Sequence, residues 1–355
     1  MNRTNVATRY WISLTRLTPP ASGTPRGRDG YTFLRRYWAS LTRYRLPEQP
    51  TDPISTRPID TDQTPLDGPG TDLVRAIVPH ANLAGAILTG AILHTANLAH
   101  ANLAGANLAH ITLTSANLSH ANLSNAELTA ANLTFANLEG ANLRGANLDG
   151  ANLTKTHLRD ATLSEATLSE ADLSGADLIR ADLRFVRLIR ANLLRANLSR
   201  ATMHGANLTA ANLTDAILIG TDLSYVYLAE ANLSDADLFR VNLSSANLTA
   251  ANLTSATLRI VDLSDADLTR ANLTDVNLTG ANLTRADLTE ADVTGADLTG
   301  ANLPQIHMLV ALKWSSKTRW GRHSGEIRAR SIEQSRGAYI LNPVTGQPTR
   351  TLVMG

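Results

Sequence analysis

Nine aspartates of the C-terminal half are the residues whose type and spacing could do chemistry: Asp222, Asp235, Asp237, Asp262, Asp265, Asp267, Asp287, Asp292 and Asp297. Carboxylates this close in sequence serve general acid–base work where a cleft perturbs a pKa, and bind basic partners where they stay on a surface. A second concentration is a basic belt, Arg180, Arg184, Arg187, Arg190, Arg195 and Arg200, against Asp182 alone. Guanidinium groups in such number suit phosphate or carboxylate. His80, His100 and His120 recur twenty residues apart, a spacing that can stack imidazoles for a metal ion. Which of these chemistries is open depends on the elements that hold the side chains.

Those elements follow a period of five. From Leu73 to Leu303 every fifth residue is Leu at 44 of 47 sites, the exceptions being Val78, Met203 and Val293. Two residues before each site stands a small residue, Ala at 38 of the 47. Neither standard period fits. On a helix successive leucines would rotate by roughly 140°, and on a straight strand they would alternate between faces. One shared interior requires the chain to turn a corner about every five residues. The expectation is a solenoid with a narrow Leu/Ala filling, consistent with an aromatic content of only 4%.

Units such as Ala101-Asn102-Leu103-Ala104-Gly105, Ala146-Asn147-Leu148-Asp149-Gly150 and Ala296-Asp297-Leu298-Thr299-Gly300 resemble the pentapeptide-repeat family, whose unit is A-(N/D)-L-x-x. The resemblance implies an all-β fold, a right-handed quadrilateral β-helix with four repeats per coil, roughly 12 coils here. Leu and the preceding Ala would point inward and Asn or Asp outward near the corner. The last two residues of each unit would face water, with Gly favoured at tight turns. Residues twenty apart would then stack. Asp222 would share a column with Asp262, Asp237 with Asp297, and Arg180 with Arg200 and Arg240. Some members of the family protect DNA gyrase as acidic, dimeric, DNA-like rods. The register here has no insertion, so a mechanism that relies on a projecting loop finds no support. Phe135, Phe185 and Phe239 fall at outward positions.

Magnitudes decide between the chemistries. A duplex carries about one phosphate charge per 1.7 Å. Residues 201–305 hold 13 acids and 4 bases over roughly five coils, or about 25 Å, where duplex DNA would carry about 15 charges. That is a partial mimic at most, and the Arg belt cuts against mimicry over the whole rod. The belt is expected to pair with Glu165, Glu170 and nearby Asp. It lacks the interleaved aromatics of a nucleic-acid groove, so direct nucleic-acid binding is disfavoured. A filled prism offers no cleft, so neither catalysis nor a cofactor is expected. No carboxylate or Cys completes the histidine set, and the chain has no Cys; an exposed ladder is preferred to a metal site. The Thr ladders from Thr269 to Thr299 spread over every side, unlike an ice-binding face.

The flanks differ in character. Residues 1–45 form a basic arm in which Arg9-Tyr10-Trp11 recurs as Arg36-Tyr37-Trp38, expected to be disordered or partly helical. Residues 46–70 are a Pro-rich linker, 71–305 the β-helix, and 306–355 a basic cap, with a short helix near Ile306 to Leu312 and a strand at Ala338 to Leu341. The rod, with 23 acids and 14 bases, lies between basic ends. The expected role is a non-enzymatic protein-binding scaffold whose acidic C-terminal coils form the partner surface. A DNA-mimicking modulator of a type II topoisomerase such as gyrase is the sharper alternative, and membrane-surface attachment through the arm a third. The C-terminal segment is a candidate dimerisation element. With no apolar run long enough to span a bilayer and no signal-peptide core, the expected compartment is the cytoplasm.

Overall fold

The corners explain the period. In the computed structural model, which describes residues 74–341, the last residue of every repeat from Arg75 to Gly300 has φ between about +50° and +75°. The amide N–H of the next residue donates to the central Leu carbonyl, as from Ala106 to Leu103 at 3.1 Å. A four-residue turn closed this way, with positive φ at its third position, has the pattern of a type II β-turn. Gly occupies 12 of these corners. Elsewhere the corner is held by Arg, Asp, His, Phe, and even β-branched Thr95 and Ile260. The ladder therefore imposes the conformation and the residue tolerates it.

Between corners the chain is extended for three residues, and the middle one forms a parallel bridge to the residue twenty positions on. The bridges run without a slip from Ile77↔Asn97 to Asn282↔Asn302. Each side contributes three hydrogen bonds to the coil above; Leu83 N–H donates to Asn102 O (2.7 Å), Asn102 N–H to Ala81 O (2.8 Å) and Gly85 N–H to Ala104 O (2.9 Å). Four repeats make one coil. This corrects one expectation: Asn or Asp stands mid-side, and the two residues after the Leu form the corner.

Leu and Ala fill the axis, and Leu148 and Leu248 are fully buried. Each such Leu contributes on the order of 1.5–3 kcal/mol. Thr156 and Thr221 take the inward Ala position and are also buried. Their hydroxyls donate to backbone carbonyls, Thr156 to Leu153 O at 2.7 Å and Thr221 to Leu198 O at 2.7 Å, so neither leaves a polar group unpaired.

After Asn302 the chain leaves the repeat but continues the ladder. Lys313 bridges Asp292 and Arg319 bridges Asp297. Strands β1 (Lys313–Ser315), β2 (Ser331–Ser335) and β3 (Ala338–Leu341) form an antiparallel sheet in the order β1-β3-β2, with helix α1 (Ser324–Ala329) before β2. The only helical turn near residue 306 is a 3₁₀ turn, Ile306–Met308. Trp314, Trp320, Ile327 and Leu341 are buried. Trp314 stacks on Tyr339 at 4.4 Å, and its indole N–H donates to Ser331 Oγ at 2.9 Å. At Gly321, with φ +58°, a Cβ would lie 3.5 Å from Thr299 Cα, so this segment rests directly on the last coil. The arm at 1–45, the linker at 46–70 and residues 342–355 lie outside the described residues.

Candidate carboxylate surface

The candidate aspartates fall into two structural kinds. Asp222, Asp237, Asp262, Asp267, Asp287, Asp292 and Asp297 stand mid-side, where each Oδ1 accepts the amide N–H two residues on, at 2.9–3.1 Å. That N–H belongs to the first corner residue, which the ladder leaves without a backbone acceptor. An Asx turn is the local solution. Asn does the same work elsewhere, as Asn102 does for Ala104 N–H at 3.3 Å, and the amide NH₂ adds a rung to the coil below, Asn102 Nδ2 to Asn82 Oδ1 at 3.0 Å. Asp235 and Asp265 are corner residues with positive φ, exposed beyond the ladder.

The columns stack as the spacing implies. Asp222 and Asp262 share one side, and Asp237 and Asp297 another. Not all are free to meet a partner. Asp265 holds Arg285 through two bonds at 2.5 and 2.6 Å, and Asp297 holds Arg319 at 2.8 Å. Hydrogen bonding from Arg285, with its charge, keeps the Asp265 carboxyl below the usual value. At Asp267 desolvation pushes upward, but hydrogen bonds from the Thr269 side chain and amide and from Thr249, with the charge of Arg270, outweigh it and lower the pKa.

The basic belt is largely neutralised. Arg180 pairs with Asp160, Arg184 with Asp182, Arg190 with Glu170 and Arg195 with Asp215. Glu165 pairs with Arg144 outside the belt. Arg187 and Arg200 make no ion pair among the described residues. His80, His100 and His120 do stack, with ring centroids 4.9 and 5.1 Å apart. No group of three or more His, Asp or Glu able to hold a metal occurs among the described residues, and no helix among them is long and apolar enough to cross a membrane.

Sequence reasoning missed a cluster beside the belt. Phe185, His204 and Tyr225 meet edge to face, at 5.5 and 5.3 Å, and the Phe185 ring lies where a Cβ on Gly205 would stand, 2.7 Å away. Phe185 and Tyr225 are more than half exposed. The detectable signal was a spacing of 19 to 21 residues, which crosses a corner between coils.

Uniform parallel coils, an aliphatic axis and functional groups confined to the outside define a β-helical solenoid. The family model for pentapeptide repeats (8 copies) matches residues 70–254 and 266–304. The chain belongs to the pentapeptide-repeat family. No curated protein matches it. Among solved structures it is similar to HetL, a pentapeptide-repeat protein involved in heterocyst differentiation regulation in the cyanobacterium Nostoc, at 32% identity over 62% of this chain and 86% of that one, with a TM-score of 0.25. It is similar to QnrB1, a plasmid-mediated fluoroquinolone resistance protein, at 22% identity over 57% and 88%, with a TM-score of 0.41. A pentapeptide-repeat protein of the Arabidopsis thaliana thylakoid lumen is 38% identical over 30% and 63%, with a TM-score of 0.15. The fold assignment rests on the chain's own repeats and ladder.

Proposed function

We propose that this protein is a non-enzymatic, protein-binding scaffold, a rod of roughly 12 coils, whose acidic C-terminal coils are read by a basic partner surface. One observation carries the reading. The mid-side carboxylates are held by backbone N–H groups at set heights along the rod, so a partner meets charges that need no ordering on binding. Asp222 and Asp262 line one side, and Asp267 and Asp287 the next.

The fourfold variant Asp222→Asn, Asp262→Asn, Asp267→Asn and Asp287→Asn tests it, since Asn keeps the Asx turn and removes the charge. A protein retained by the intact chain and lost by this variant supports the reading. Equal retention by both refutes it.

The sharper form, a modulator of a type II topoisomerase, draws on the acidic rows and on the family's known gyrase-protecting members. Supercoiling by gyrase would then change on addition of the intact protein, with an effect that weakens steeply with salt. Supercoiling unchanged at micromolar protein removes it.

A further inference from the structure

One side of the rod is bordered by corners of opposite charge. It is the side whose mid-positions include Asn197, Ile217, Asp237 and Thr257. The corner before it carries Asp215, Asp235 and Asp275, with Arg195 one coil earlier, and the corner after it Arg200, Arg240 and Arg259. Arg200, Arg240, Arg259, Asp235 and Asp275 make no ion pair among the described residues. Asp215 has Arg195 at 3.3 Å. The border is also apolar. Ile219 and Phe239 are half-buried at the basic corner, the Arg240 guanidinium lies 5.1 Å from the Phe239 ring centroid, and Ile260 beside Arg259 is 51% exposed.

We propose that this side binds a second copy of the chain, the two rods lying parallel. The argument is one of symmetry. A two-fold axis parallel to the rod, in front of this side, carries each basic corner onto the partner's acidic corner without changing its height. A two-fold axis across the rod would set basic on basic. Each coil rises about 4.8 Å, so residues five apart differ in height by about 1.2 Å. Asp235 therefore faces the second copy's Arg240 almost level. Asp215 with Arg200 and Asp275 with Arg259 fall within about 4 Å of level, inside the reach of an arginine. The pairing repeats twice by symmetry, as an isologous interface requires. The same operation sets Asp177, Asp237 and Asp297 opposite their own copies and brings Arg195 almost level with the second copy's Arg200. Asp177, Asp297 and Arg195 each already hold an opposite charge of their own chain, Arg159, Arg319 and Asp215.

The inference is independent of the partner reading above, which uses other sides. The test is the mass of the intact protein by sedimentation equilibrium at low and high salt. A dimer at low salt that dissociates as salt rises, and that Arg240→Asp or Asp235→Arg each converts to monomer while the circular dichroism spectrum is that of the folded protein, supports it. Mixing those two variants restores a dimer, because each supplies the charge the other lacks, and Asp237→Asn tightens association. A monomer at low salt overturns the proposal. So does a dimer indifferent to both charge reversals, which would place association elsewhere, for instance in the C-terminal segment.

Discussion

Asp267 and Asp287 stand on consecutive coils of one column, bridged through their backbones, and each accepts the amide N–H two residues on at 2.9 Å, from Thr269 and Thr289. One side chain thus completes the ladder and displays a charge. Replacing Asp267 by Ala removes the acceptor and is expected to cost about 1 kcal/mol by urea denaturation, whereas Asp267→Asn costs much less. Equal losses for both would show that charge, and not the turn, is what matters there.

The same group makes stability depend on pH. The folded-state pKa of Asp267 lies below its ordinary 3.8, as do those of Asp160 and Asp182, the latter two lowered chiefly by hydrogen bonds from Arg180 and Arg184. A depressed carboxyl pKa means that the unfolded chain binds protons more readily. The stabilisation is present above pH 3.8 and is lost as pH falls through the folded values. The melting temperature should therefore hold from neutral pH to about 4 and drop below it, less steeply in Asp182→Asn, as followed by circular dichroism.

In the axis, Leu148→Ala and Leu248→Ala each open a cavity that the rigid ladder cannot close, at an expected cost of about 2–5 kcal/mol in the denaturation midpoint analysis. A loss below about 1 kcal/mol would mean that the coils collapse around the gap.

Corners behave in the opposite sense. Ile260 is β-branched with φ +56° and half exposed, so Ile260→Gly gives up little burial and relieves left-handed strain. It should stabilise the protein by about 0.5–1 kcal/mol in the same assay. Destabilisation would show that the side chain's packing outweighs its backbone cost.

At the C-terminal end, Trp314→Ala should cost about 3–5 kcal/mol and abolish the near-ultraviolet signal of the Trp314–Tyr339 stack. Retention of that signal would place its origin in Trp320.

The residues show how much was readable. Leu148 and Ala146 were legible as interior and Asn147 as outward, because burial in a five-residue repeat is decided within the repeat itself. The stacked histidines and the shared columns of Asp222 with Asp262 followed once four repeats were taken per coil. The Asx turn at Asp267 was missed, since it reflects an amide that only the closed ladder leaves unpaired. So were Arg319 with Asp297 and Arg144 with Glu165, pairs separated by 22 and 21 residues.

The period alone thus determined what lies inside the rod and which residue types face out, for a local spacing suffices to sort apolar from polar. Only the folded coil decided which charges neutralise one another, that 34 non-glycine repeat corners adopt positive φ, and how residues 313–341 complete the sheet. Those outcomes depend on contacts between chain segments that meet only after each coil has closed on the one before it.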